Sequence, residues 1–251
     1  MKLADWANRS LRRHEGALKA VRRLTGPVRR AGLPVMGGNG RGLRVHVGPS
    51  SLMRIVSTVE ADVEEAFLAE IEPGDVVYDV GANIGWFSLL AARKVGPQGA
   101  VFAFEPSLGN AFYLRMNVAT NGFANVFTVP GAAGTGDGWA RFSEESSLEG
   151  RLSADGESLV PLVSLDGWPA AVESGPPALL KIDVEGAEVD VLRGMENLLR
   201  TAKPVLIIEL HGTAAEVTAV LEEFGYGYRP IGVATVADAT HIIARPGEPA
   251  P

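Results

Sequence analysis

Four carboxylates and a histidine sit where apolar runs end in this 251-residue chain. In Val76-Val77-Tyr78-Asp79-Val80-Gly81-Ala82-Asn83-Ile84-Gly85 an apolar strand ends in an acid and breaks into a glycine-punctuated turn that opens a helix. Gly81 and Gly85 let backbone approach a ligand where a Cβ would clash, and the helix start offers unsatisfied N–H groups. Dinucleotide loops read G-x-G-x-x-G and hold a pyrophosphate. Here Asp79 precedes the first glycine, Asn83 takes the middle position and no third glycine follows. The turn (Asp79, Gly81, Ala82, Asn83, Gly85) therefore suits a cofactor with a cationic amino acid end, such as S-adenosylmethionine. Twenty residues past Gly85, the strand Ala100–Phe104 ends in Glu105-Pro106. A carboxylate at that place can accept both ribose hydroxyls of an adenosine. Gly131-Ala132-Ala133-Gly134 is read either as a bulk-free surface for an adenine ring, with Ala132 and Ala133 against it, or as an ordinary turn.

The same spacing supplies candidates for proton chemistry. Asp183 follows the buried-looking run Ala178–Ile182 at the edge where open α/β sheets bind ligands, and it is the first candidate for a base. Lys181, two residues earlier on the same face, needs a partner if buried; it forms a structural ion pair with Asp183 or orients it. Glu185 faces the same mouth and could bind substrate, whereas Glu188 is explained as well by a favourable position at a helix start. Glu209 and His211 share a face at the end of Val205–Leu210, which makes His211 a catalytic or substrate-binding candidate and Glu209 a substrate contact. An alternative use of Asp183, Glu209 and His211 is to ligate a magnesium-type ion together, but so few carboxylates favour a site without metal.

These blocks resemble the FkbM-type methyltransferases over about residues 55–245. The carriers are Pro73–Gly85, Phe104-Glu105-Pro106, Asn117, Asn121, Leu165-Asp166, Leu180–Glu188, Val191–Gly194 and Ile207–His211. The resemblance implies a class I fold and S-adenosylmethionine as cofactor. It also implies transfer of a methyl group to a hydroxyl of a small metabolite, a natural product or sugar, and contacts to the cofactor's methionine end from Ser57, Thr58 and Glu60. A nicotinamide-dependent oxidoreductase on a similar fold is opposed by the Asp79 turn. A silent methyltransferase-like binding subunit is opposed by the intact Asp79, Gly81, Gly85, Glu105 and Asp183.

Positioning these groups requires alternating strands and helices, hence an α/β fold with a Rossmann-like, seven-stranded, mostly parallel sheet covered on both faces. Strands are expected at 76–80, 101–105, 126–130, 178–183, 205–210, 226–231 and 240–244, and helices at 59–71, 84–94, 107–121, 188–200 and 213–224. Residues 131–177 interrupt the alternation with two strands, 139–142 and 159–163, and form an insertion suited to a substrate lid. Residues 1–54 form an extension, 55–245 the methyltransferase domain and 246–251 a disordered tail.

Composition narrows the rest. Nine basic side chains against Asp5 and Glu15 give residues 1–30 a charge of +7 and leave −14 for the remainder. Leu3, Trp6, Ala7, Leu11, Leu18, Val21 and Leu24 recur at helical spacing, so the extension is a basic amphipathic helix. It packs on the domain or a partner subunit, as in a homo-oligomer, or touches a membrane surface. The acidic body speaks against nucleic acid. Gly37–Gly42 lacks the Gly-Lys-Ser/Thr ending of a phosphate loop and reads as a flexible turn. With no cysteine, no apolar stretch of membrane-spanning length and no signal-peptide core, the expected compartment is the cytoplasm.

Overall fold

The computed structural model describes residues 32–46, 61–144, 150–236 and 239–249. The basic helix, Ser57, Thr58 and Glu60 lie outside them.

A short hairpin comes first, β1 (Leu33–Pro34) paired antiparallel with β2 (Arg44–Val45), then helix α1 (Ala61–Ala69). The core follows as β3 (Val76–Val80), α2 (Trp86–Val95), β4 (Ala100–Phe104), α3 (Leu108–Asn121) and β5 (Val126–Val129). A second sheet interrupts it: β6 (Ala132–Ala133), β7 (Gly138–Glu144), β8 (Gly150–Leu152) and β9 (Ser158–Val163), with the single turn α4 (Trp168–Ala171) behind. The core resumes with β10 (Leu179–Ile182), α5 (Glu188–Arg193), α6 (Glu196–Thr201), β11 (Val205–Glu209), α7 (Ala214–Glu223), β12 (Tyr226–Pro230) and β13 (His241–Pro246).

The main sheet has seven strands in the order β12-β13-β11-β10-β3-β4-β5. Pairs from β11 to β5 are parallel, and β13 lies antiparallel to β11 and β12. Strand runs such as Leu179-Leu180-Lys181-Ile182 are buried throughout, because helices cover both faces. One face packs Val80, Ile182 and Ile208 on Leu192, Leu199 and Leu221, and the other packs Val77, Val101 and Ile207 on Phe67, Phe87 and Ala91. Among the described residues no helix is long and apolar enough to cross a membrane.

The differences from expectation have local causes. The second helix starts at Trp86 because Asn83 (φ 52°) and Gly85 (φ 87°) are left-handed. The expected helix 188–200 breaks into α5 and α6 at Gly194-Met195. There the Gly134 backbone lies so close that a Cβ on Gly194 would come within 1.8 Å of its oxygen, while Asp166 accepts hydrogen bonds from Asn197 N and Leu198 N at the start of α6. Gly37–Gly42 is a turn, but a pinned one: Arg93 donates to the Asn39 and Arg41 carbonyls, and Asn39 donates to Glu64. β13 ends at Pro246, just past which Gly247 N bonds to Gly225 O and Glu248 pairs with Arg245. The insertion gains a third strand, β8, as the hairpin partner of β7, and the short β6 pairs with β9 in parallel.

Gly81 (φ 79°) fixes how closely β3 and β10 end together: a Cβ there would lie 1.7 Å from the Asp183 carbonyl oxygen. Gly81→Ala is expected to cost about 2 kcal/mol or more and to lower the melting temperature by about 5 °C or more in scanning calorimetry. An unchanged melting temperature would show that the two strand ends separate freely.

Candidate active site

The cavity opens at the carboxyl ends of β3, β4, β5 and β10, the edge at which chain direction makes strands diverge into loops. Gly81 and Asn83 form its floor, Glu105 and Pro106 one wall, Gly131–Ala133 another, and Asp183, Glu185 and Glu209 the far end. The second sheet closes it from above with Phe142, Arg151 and Leu152.

Glu105 is 5 % exposed, and each carboxylate oxygen takes one backbone hydrogen bond, from Asn83 N (2.7 Å) and Ser107 N (2.8 Å). Burial pushes its pKa up to about 7 against these donors. A buried carboxylate facing a cavity gains from further donors, and the vicinal hydroxyls of a ribose supply two in the right geometry. Ser107 also caps α3 and donates to Glu144, tying β7 to this rim. Asn117, fully buried on α3, donates to Ile84 O and His46 O and accepts from His46 N, so the hairpin is clamped to the glycine turn.

The turn acid is directed into the protein interior. Asp79 is 1 % exposed and does not line the cavity; its Oδ2 accepts from Ser88 Oγ at 2.5 Å and its Oδ1 has no hydrogen-bond partner among the described residues. Burial raises its pKa, partly opposed by Lys181, its register partner on β10. Ala82 and Gly85 likewise do not line the cavity.

Lys181 is buried over the Phe87 ring, 4.7 Å from its centroid, and its ammonium lies 2.7 Å from Asp183 Oδ2. Burial alone would lower the lysine pKa, but Asp183 and Asp79 outweigh it and hold the charge. For Asp183 burial acts upward, and the Lys181 charge and hydrogen bond win, so its pKa falls below the ordinary carboxylate range.

His211 keeps 23 % of its side chain exposed beside this pair. Its Nδ1 is 2.8 Å from Glu188 Oε1, and its Nε2 lies 3.4 Å from Glu185 Oε2 and 3.7 Å from Glu209 Oε1. The hydrogen bond with Glu188, helped by the neighbouring carboxylates, lifts the imidazole to about 9 against the effect of burial. Glu185 reaches the mouth from a left-handed backbone (φ 48°), an unusual conformation for a side-chain-bearing residue. His241 Nε2 is 3.2 Å from Glu209 Oε2 but out of line for a hydrogen bond. Asp183, Glu209 and His211 each offer a ligand atom within 4.8 Å of the others, so a cation could be held there, although Lys181 already supplies positive charge to Asp183.

Sequence reasoning missed Asn110, Phe142, Arg151 and Leu152 as lining residues. Asn110 opens a helix and the others belong to the insertion, whose individual side chains carry no motif.

Residues 79–229 match the model of the methyltransferase FkbM domain, more than half of the chain. The chain is similar to the hexuronic acid methyltransferase AglP of Haloferax volcanii, with 33 % identity over 65 % of this chain and 68 % of that protein. It is also similar to the 31-O-demethyl-FK506 methyltransferase FkbM of Streptomyces tacrolimicus, with 30 % identity over 62 % of this chain and 74 % of that protein. Among solved structures, a precorrin-6y C5,15-methyltransferase of Geobacter metallireducens superposes with a TM-score of 0.51 at 14 % identity, covering 80 % of this chain and 94 % of that one, which speaks for the fold alone. The chain belongs to the FkbM methyltransferase family and is an S-adenosylmethionine-dependent methyltransferase.

Proposed function

We propose that the protein methylates a hydroxyl group of a small polyhydroxylated metabolite, with His211 as the proton acceptor. The observation that carries this reading is one cavity lined both by the buried Glu105 and by the Asp183–Glu185–Glu209 edge, with His211 Nε2 next to Glu185 and Glu209 of that edge. In this reading Glu105 takes the ribose hydroxyls, Gly131–Ala133 faces the adenine and the Gly81–Asn83 turn carries the amino acid end toward Asp183. The cofactor, when bound, supplies a methyl group already activated on a sulfonium. The second sheet over the cavity, with Phe142 and Leu152, excludes water, and the far carboxylates accept hydrogen bonds from acceptor hydroxyls.

Asp183 is a weak base because Lys181 stabilises its ionised form; its part is to orient the acceptor's hydroxyl. His211 Nε2 would take the hydroxyl proton as the oxygen–methyl bond replaces the sulfonium–methyl bond, whose electron pair stays on sulfur as a neutral thioether. The two relatives named for a hexuronic acid and for 31-O-demethyl-FK506 support a hydroxylated acceptor. The oxidoreductase and silent-subunit readings find no support in the family match. The cysteine-free composition fits a reducing cytoplasm.

Three outcomes are expected. Glu105→Ala weakens S-adenosylmethionine binding about tenfold or more in calorimetry, since charge-assisted hydrogen bonds contribute roughly 1.5–3 kcal/mol each. Because only the ionised carboxylate accepts both hydroxyls, wild-type affinity falls as pH drops below about 7, and the mutant loses that part of the dependence. Equal affinity of mutant and wild type removes Glu105 from the site.

The proton acceptor must be neutral, and with its pKa at about 9 kcat/KM should rise roughly tenfold per pH unit from neutrality and level off near pH 9. His211→Gln should lower kcat about 10²-fold or more and abolish that rise. A flat profile, or full activity of His211→Gln, assigns the proton elsewhere. Added chelator should leave turnover within about twofold; loss restored by magnesium would place a metal at Asp183, Glu209 and His211.

A further inference from the structure

Glu188 is the first residue of α5, and an acid there is ordinarily explained by the helix start, with its carboxylate in solvent. This one is fully buried. Its Oε1 accepts from Gly186 N at 2.9 Å and contacts His211 Nδ1 at 2.8 Å, and its Oε2 accepts from Thr213 Oγ1 at 2.8 Å. A helix start needs none of this burial, which is costly for a carboxylate unless every oxygen is bonded. The three donors also come from two different places: Gly186 from the turn carrying Glu185, and His211 and Thr213 from the segment leaving β11.

We infer that Glu188 is a positioning residue that fixes the His211 imidazole with Nδ1 as hydrogen donor, leaving Nε2 as the proton-accepting nitrogen at the cavity edge. This rests on the reading of His211 as proton acceptor. An acceptor-only carboxylate requires a proton on the nitrogen that faces it, so the neutral ring is held in the Nδ1–H form. A ring free to rotate or to change tautomer would present Nε2–H, which cannot take a proton. The groups facing the ring are Glu188 from α5, Glu185 from the preceding turn, Glu209 from β11 and Asp183 from just past β10, with His241 of β13 behind Glu209. All four near neighbours are carboxylates, and they also stabilise the imidazolium once the proton has arrived. Of the four, Glu188 holds its hydrogen bond at 2.8 Å and is sealed from solvent.

The test uses the full-length protein with histidine ¹⁵N labels, the His211 resonances being assigned by their absence in His211→Gln. In the wild type above pH 9 the neutral ring should carry its proton on Nδ1; a ring protonated on Nε2 overturns the proposal, and this readout needs neither a variant nor a known acceptor. Glu188→Ala removes the acceptor that holds the Nδ1 proton; a Gln would not, because Gly186 N–H would keep its amide oxygen at the Oε1 position. Glu188→Ala should shift the ring to Nε2–H and move the His211 titration from about 9 toward the ordinary value of 6.5. It should lower kcat about 10²-fold or more while S-adenosylmethionine affinity stays within about twofold. In the His211→Gln background the same substitution should change kcat less than about twofold. A full and equal loss in that background, or loss of cofactor affinity with the loss of rate, makes Glu188 a structural residue and overturns the proposal. A wild type with the Nδ1–H ring but no methyl transfer to any hydroxylated acceptor overturns the function proposed above instead, and leaves the pairing standing.

Discussion

A lysine ammonium buried in the middle of the central sheet constrains everything at the active edge. Lys181 stands opposite Asp79 in the β3–β10 register and contacts Asp183 at 2.7 Å, with the Phe87 ring beneath. Leaving a buried charge without its partner costs about 3–5 kcal/mol, so these strands cannot slip or part without losing the pairing. The carboxylate of Asp183 is thereby fixed at the cavity's far end, and its carbonyl is brought so close to β3 that only a glycine fits at position 81. One electrostatic requirement thus sets strand register, turn geometry and the orientation of a polar group facing the ligand.

Charge at that edge is divided into two pairs with opposite consequences. Lys181 with Asp183 is sealed on the ammonium side only, and it keeps Asp183 ionised and weakly basic. Glu188 with His211 is sealed on the carboxylate side only, and it makes the exposed ring nitrogen strongly proton-seeking. Glu105 has no cationic partner among the described residues and is held by the Asn83 and Ser107 backbone donors with help from the Asn110 side chain. A pocket so organised separates binding of a polyol-bearing cofactor at one end from handling of a proton at the other.

The parallel core and the cofactor end were legible because they rest on local rules: apolar runs, glycines that need positive φ, and an acid at a fixed distance beyond the turn. Glu105 is the clearest case. The inward turn of Asp79 toward Lys181 was not legible, because sequence shows that an acid ends a strand but not which way its side chain turns. The break at Gly194 depends on the approach of Gly134, some sixty residues away in sequence, and no periodicity records that. Glu188 reads as an ordinary helix-start acid until β11 brings His211 and Thr213 onto it. The lining residues Phe142, Arg151 and Leu152 come from a small sheet whose pairing is long-range, so their types were visible and their destination was not.

The most direct measurement is a crystal structure with the demethylated product, S-adenosylhomocysteine. The ribose hydroxyls should bond to Glu105, and the sulfur should point toward the Asp183–Glu209 edge with His211 Nε2 within about one acceptor atom's reach of the methyl position. A ligand lying with its ribose away from Glu105, or with its sulfur turned from that edge, would contradict the assignment of the two ends of the cavity and the role of His211 with it.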